Sequence, residues 1–194
     1  IQEGAIAVGD VVQLQVDERR RRDIMRNHTA THLVHAALRA ALGGHVQQKG
    51  SLVAPGRFRF DFSHFDAIPQ SALNDIEDSV NEQILANTPL EIFDTSMDAA
   101  VKAGAMALFG EKYGDEVRVV NIPGVSMELC GGTHTASTGR IGLFRLVSES
   151  GVAAGVRRVE ALTGRGAFQH LAGKEQALQE VAAVLKTSPD NLMH

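Results

Sequence analysis

Pro55-Gly56-Arg57-Phe58-Arg59-Phe60-Asp61-Phe62 decides the reading of the fold. Its strict alternation sets Phe58, Phe60 and Phe62 on one face of a strand, the pattern of a sheet buried on one side. A weaker strand pattern over 46–53 precedes it, and the Pro-Gly pair between the two predicts a hairpin. Downstream, Pro69 opens a helix over 70–87 whose buried stripe is Leu73, Ile76, Val80, Ile84 and Leu85. Upstream, an alanine-rich helix is expected from Ile24 to Leu42, stopped by Gly43-Gly44. Alternation in Val11–Val16 predicts a strand over 9–16, with Arg19 to Asp23 as the junction. Further strands are expected over 89–94, 116–122, 141–150 and 155–162, and a short helix over 97–109. A last amphipathic helix is expected over 165–185, with Phe168, Leu171, Leu178, Val181, Ala182 and Leu185 on one side. Irregular alternation of helices and hairpin-like strand pairs predicts an α+β fold, a mostly antiparallel sheet packed with helices.

The 194 residues suit one domain, or one domain and an attached piece of its neighbour. Ile1 in place of an initiating Met leads us to expect a piece of a longer chain, without a signal peptide. No apolar run approaches the ~20 residues a membrane span requires. A single cysteine excludes an intrachain disulfide and points to a reducing, cytoplasmic setting. The net charge of −4 argues against a nucleic-acid partner until its distribution is considered. Nine Asp and Glu residues and no Lys or Arg fall between Asp61 and Asp98, so the remainder carries 19 Lys+Arg against 14 Asp+Glu. Arg19, Arg20, Arg21, Arg22 and Arg26 are the densest basic cluster. Such a run is either a solvated face or a set of phosphate contacts. Dinucleotide, Walker and serine-elbow motifs are absent.

Two pairs of residues carry the chemistry. His28 and His32 lie four apart in the first expected helix, which stacks two imidazoles on one face. Cys130 and His134 lie four apart across Gly131-Gly132, where glycines let the backbone turn so that both side chains converge. Together they offer three imidazoles and a thiolate, a suitable set for Zn²⁺. Taken singly these residues are weaker signals: two polar helix positions, and a small buried cysteine or a nucleophile. The residue after His28 is Thr29 rather than Glu, which disfavours a metalloprotease. His35 shares the helix face, and we expect it to be non-ligating, facing substrate or supporting a ligand. Thr31 either offers its hydroxyl to a substrate or bonds to its own helix backbone. Arg157 and Arg158 on one strand point to opposite faces, so at most one of them lines the site.

Asn27-His28-Thr29-Ala30-Thr31-His32-Leu33 and Glu128-Leu129-Cys130-Gly131-Gly132-Thr133-His134 resemble the editing domain of alanyl-tRNA synthetases, a class II aminoacyl-tRNA synthetase family. The resemblance extends through Gln47–Val53, Arg57–His64, Gly104–Tyr113, Ser148–Gly151 and Gly155–Glu160. It is shared in part by free-standing alanyl-tRNA editing proteins and the threonyl-tRNA synthetase editing domain, and is stronger to the bacterial synthetase. It implies a two-layer editing-domain fold over 23–164. Residues 1–22 would then be the end of a preceding small β-barrel module with its junction, and 165–194 an amphipathic helix and linker. It implies hydrolysis of the aminoacyl ester of tRNA(Ala) mischarged with serine or glycine. One pocket cannot reject neighbours that differ by a single small group, because such a group is worth only ~1–3 kcal/mol. It implies zinc on His28, His32, Cys130 and His134; Gln48 and Thr31 as catalytic residues; and Thr29, Thr31, Gln48 and Ser51 around the misattached amino acid. The implied partners are tRNA(Ala), with Arg19, Arg20, Arg21 and Arg22 as candidate contacts, and the remaining synthetase domains. The alternative is a zinc-stabilised docking or structural module without activity in isolation.

Overall fold

The structure, a computed structural model, describes residues 4–107 and 113–192. The Phe58–Phe62 alternation forms as expected. β1 (Gln48–Val53) and β2 (Phe58–Ser63) pair as an antiparallel hairpin, and β2 continues onto β7 (Val156–Thr163), which pairs with β6 (Phe144–Ala153). The sheet order is β1-β2-β7-β6, antiparallel throughout. Phe58, Phe60 and Phe62 are fully buried beneath α1 (Glu18–Leu42) and α2 (Gln70–Leu85). Leu33, Val34, Ala37 and Leu38 of α1 and Ile76, Val80 and Ile84 of α2 complete this core, with Leu73 half-buried against it; Leu85, expected in the α2 stripe, is instead exposed at the last residue of the helix. Each of those large side chains contributes about 1.5–3 kcal/mol by leaving water.

A second sheet, β3-β4-β5, is built from β3 (Glu91–Ser96), β4 (Glu116–Ile122) and β5 (Ser126–Leu129). It buries Val117, Val119 and Leu129 with Ala100 of the short helix α3 (Met97–Lys102). The α+β class and the antiparallel pairing are as the sequence predicts. The short helix ends at Lys102 instead of running on to Phe109: Ala103 caps it and Gly104, at φ +90°, turns the chain, while Phe109 itself lies outside the described residues. No described helix is long and apolar enough to cross a membrane.

Two expectations at the ends are corrected. The strand expected over 9–16 does not form: these residues are exposed and pair with no other described strand. Alternation alone leaves a strand's backbone groups without a ladder, and here none of the described residues supplies one. The first helix begins at Glu18 rather than Ile24, because the Asp17 carboxylate accepts the Arg20 backbone N–H (2.9 Å) and caps it. Arg19–Asp23 is thus helical, in the opening turns of α1. At the other end, α4 (Gly164–Val184) buries only Ala167 and Ala182, and Phe168, Leu178, Val181 and Leu185 of its expected stripe stay exposed.

Candidate metal centre and cavity

The register of α1 is set by one side chain. Asn27, fully buried, donates through Nδ2 to the carbonyls of Ala54 (2.7 Å) and Pro55 (3.2 Å) at the β1–β2 turn, and accepts from the Thr163 hydroxyl at the end of β7 (2.7 Å). These bonds tie the helix across the sheet and fix where the next turn points. His28 and His32 follow on one face, with ring centroids 5.7 Å apart.

Opposite them, Cys130 leaves β5 with its N–H on the Arg118 carbonyl (2.9 Å), and the Arg118 guanidinium holds the Gly132 carbonyl (3.3 Å). The chain then turns so that His134 returns to Cys130. Gly132 makes that approach possible: a Cβ there would stand 2.0 Å from Cε1 of His28. Cys130 Sγ lies 3.4 Å from Nε2 of His28 and 3.3 Å from Nε2 of His134. One ligand atom from each of His28, His32, Cys130 and His134 falls within 4.8 Å of all the others, so the four can hold one metal ion. The buried Nε2 of His32 has no hydrogen-bond partner among the described residues. A cation at the centre of the cluster satisfies that orphan atom, so the donor set fits a metal.

The surrounding groups orient the ligands. Nδ1 of His32 lies 3.0 Å from Oε2 of Glu128, and Nδ1 of His134 lies 3.3 Å from the Thr29 hydroxyl. A ring nitrogen engaged in this way leaves the opposite nitrogen for a metal. Burial pushes the Cys130 thiol up, but hydrogen bonds from His134 and His28 outweigh it and hold the thiol down at about 3. Burial pushes His134 down to about 4. Burial alone also lowers His32, yet the Glu128 carboxylate prevails and raises it. Burial in turn would raise Glu128, and His32 keeps it well below the usual carboxylate range.

A cavity of about 460 Å³ opens beside the cluster, lined by His28, His32 and Cys130 together with Thr31, His35, Gln48, Ser51, Phe60 and Glu128. Gln48 and Ser51 are three apart, which in a regular strand sets them on opposite faces. A bulge between Gln48 and Gly50 changes this: Gln48 pairs with Phe62 and Ser51 with Phe60, so both join the face that carries those phenylalanines. The Thr31 hydroxyl donates to its own helix at the Asn27 carbonyl (2.9 Å), leaving its lone pairs as acceptors at the cavity wall.

The other expected site residues lie elsewhere. Thr29 is fully buried outside the cavity lining, its oxygen taken by His134 and by the Thr135 N–H (3.0 Å). Arg157 is held by Glu149 (2.5 and 2.7 Å) and Arg158 by Asp61 (2.7 and 2.8 Å), and neither lines the cavity. Arg21 and Arg22 line a separate cleft of about 1200 Å³ with Arg26, Arg140 and Arg165, on the far side of His134; Arg19 and Arg20 do not. Sequence reading missed Glu128 as a supporting group. The signal was available, an acid two residues before Cys130 in a strand otherwise buried at that position. Arg140 and Arg165 carried no such signal, being distant in sequence from the basic cluster.

The class to which these features point is given by the second additional domain of threonyl and alanyl tRNA synthetases, which matches residues 117–160. Within that class the likeness is to alanine–tRNA ligase. The chain is 54% identical to that of Halorhodospira halophila over 193 residues, 100% of this chain and 22% of that protein. It is 56% identical to that of Sphingopyxis alaskensis over 197 residues (99% and 22%) and 52% to that of a Thermotoga species over 192 residues (99% and 22%). The chain therefore spans about a fifth of the length of these curated relatives. The resemblance to the alanyl-tRNA synthetase region read from the motifs is borne out along the whole chain.

Proposed function

We propose that this chain is an editing deacylase, hydrolysing the aminoacyl ester of tRNA(Ala) mischarged with serine or glycine. The observation that carries the reading is the cavity itself, where the four-ligand cluster meets Gln48, Ser51 and Thr31 on one wall. An aminoacyl ester is already activated, so a positioned water suffices as nucleophile and no covalent enzyme intermediate is required. Water oxygen bonds to the ester carbon, the bond to the ribose oxygen breaks, and the ribose hydroxyl leaves with a proton. Gln48 holds the carbonyl or the water through its amide. Thr31, with its own proton committed to Asn27, accepts from a seryl hydroxyl and finds nothing on alanine.

His28, His32, Cys130 and His134 would hold zinc, chosen over other ions for its preference for imidazole and thiolate in tetrahedral sets. Bound zinc supplies charge stabilisation and orientation of the substrate's polar groups. In this reading tRNA(Ala) docks through the arginine-lined cleft in a cytoplasmic setting. Residues 1–22 continue from a preceding module, and 165–194 lead on to the rest of the synthetase.

A second reading is favoured by one observation: four protein ligands close a tetrahedral site, as structural zincs do. The chain is then a zinc-stabilised docking module. Hydrolysis of Ser-tRNA(Ala) and Ala-tRNA(Ala) by this chain, with and without chelation, separates the two. Loss of serine but not alanine, abolished by chelation, supports the deacylase. No hydrolysis above blank by folded, zinc-loaded protein supports the module and overturns the enzyme.

A further inference from the structure

Glu128 is a buried carboxylate without a lysine or arginine partner among the described residues. Its donors are Ser126 Oγ (2.6 Å), Nδ1 of His32 (3.0 Å) and Nδ1 of His35 (3.3 Å). A carboxylate receiving two ring N–H groups fixes both tautomers, with each Nε2 left as a lone pair. The two rings then diverge in use. His32 turns its Nε2 to the ligand cluster. His35 sits one helical turn further on, 4% exposed, tilted against the Phe60 ring at a centroid distance of 5.3 Å, and lines the same cavity. Its Nε2 is buried and has no partner among the described residues.

An unpaired buried acceptor at a cavity wall is costly unless something fills it. The metal does not, because the four-ligand set excludes His35. Of the cavity's other polar side chains, Gln48 and Ser51 each both donate and accept, and Thr31 accepts with its proton committed to Asn27, whereas His35, with Nδ1 on Glu128, presents an acceptor backed by a carboxylate. An acceptor-only group backed by a carboxylate is matched by a donor-only cation. We infer that His35, held by Glu128, forms a subsite for the primary ammonium group of the ligand. In the aminoacyl-ester reading, on which this inference rests, that group is the α-ammonium of the misattached amino acid. His35 is thereby a substrate-binding residue and Glu128 a positioning residue. One carboxylate would align the metal ligand and the amine subsite together.

The test uses two unreactive probes and the metal-loaded chain. The first is 3′-amino-3′-deoxyadenosine acylated with serine through an amide; the second is its 3-hydroxypropanoyl counterpart, which lacks only the α-amino group. Calorimetric titration of the wild type should show preference for the seryl compound by about tenfold or more, as a charge-assisted hydrogen bond provides. His35→Asn places an amide where Nδ1 was, so it keeps Glu128 engaged and vacates the Nε2 position. Its preference should fall to near one, with the metal-to-protein ratio unchanged. His35→Gln reaches the Nε2 position and should restore a preference, which a purely structural role for His35 would not. Equal wild-type affinity for the two probes overturns the amine subsite while leaving the ester reading intact, and this comparison stands even where a variant fails to fold. Retained preference in His35→Asn overturns it as well. Binding of neither probe by the wild type takes down the ester reading and this subsite with it.

Discussion

Two hollows of this molecule draw on opposite ends of the Cys130–His134 segment, Cys130 lining one and His134 the other, and differ in nearly everything else. The 460 Å³ cavity is lined by side chains that are buried or half-buried apart from Ser51, its histidines, Cys130 and Glu128 engaged with one another, and it gathers them from α1, β1, β2 and β5. The 1200 Å³ cleft is lined by arginines, of which Arg21, Arg22, Arg140 and Arg165 are exposed; among the described residues only Arg22 and Arg26 have carboxylate partners there, Glu18 and Asp23. The first arrangement restricts position to fractions of an ångström, as chemistry on one bond requires. The second offers charge with little positional restraint, which suits a phosphate backbone that carries no local code. The lesson is that net charge, −4 here, says little when opposite demands are met on two sides of one histidine.

That contrast can be broken most severely at the cluster. Cys130→Ala removes the thiolate shared by His28 and His134, and the metal-to-protein ratio measured by atomic emission should fall towards zero, with deacylation reduced beyond about 100-fold. Gln48→Ala should lower kcat by about 100-fold, the scale of one lost polar contact to a reacting carbonyl, while metal content stays as in the wild type. Equal loss of metal would instead make Gln48 a structural residue. Gly132→Ala drives a methyl group into the His28 ring, and competition with a chromophoric chelator should report metal affinity roughly 10–100-fold weaker. The cleft should respond differently and least. Arg21→Ala and Arg165→Ala should each weaken tRNA binding only a few-fold and reduce the dependence of log affinity on log salt by about 0.7–0.9 per lost phosphate contact, with metal content untouched. A change in metal content in those variants would erase the distinction between the two hollows.

The hairpin, the α2 stripe and the two ligand pairs were legible because each rests on a local period: two for the Phe58–Phe62 strand, near four for the histidines. The expected strand over 9–16 shows the limit of that logic, since alternation describes a face and not the partner that must pair with it. The start of α1 was hidden by the arginines, whose charge read as a break although Asp17 caps the helix directly before them. The resemblance implied Thr29 beside the misattached amino acid, but one residue along a helix from His28 is a rotation of 100°, enough to turn it from the cavity to the back of His134. His35 was legible as a third histidine on the helix face. Its link to Glu128 was not, because 93 residues separate them.

The bulge at Gln48/Gly50 has a consequence for how relatives of this chain are to be aligned. It acts as a phase shifter: one additional residue converts an odd separation along the strand into an even one across it. Deleting Lys49 would take out that additional residue and leave Gln48 two from Ser51 on a regular strand, both still on the face that carries Phe60 and Phe62, whereas regularising the strand at its present length would turn them to opposite faces. A homologue with a regular strand here should carry its two cavity-facing polar residues two or four apart. An alignment that scores such a chain residue by residue would report the glutamine as lost when it had only changed its address.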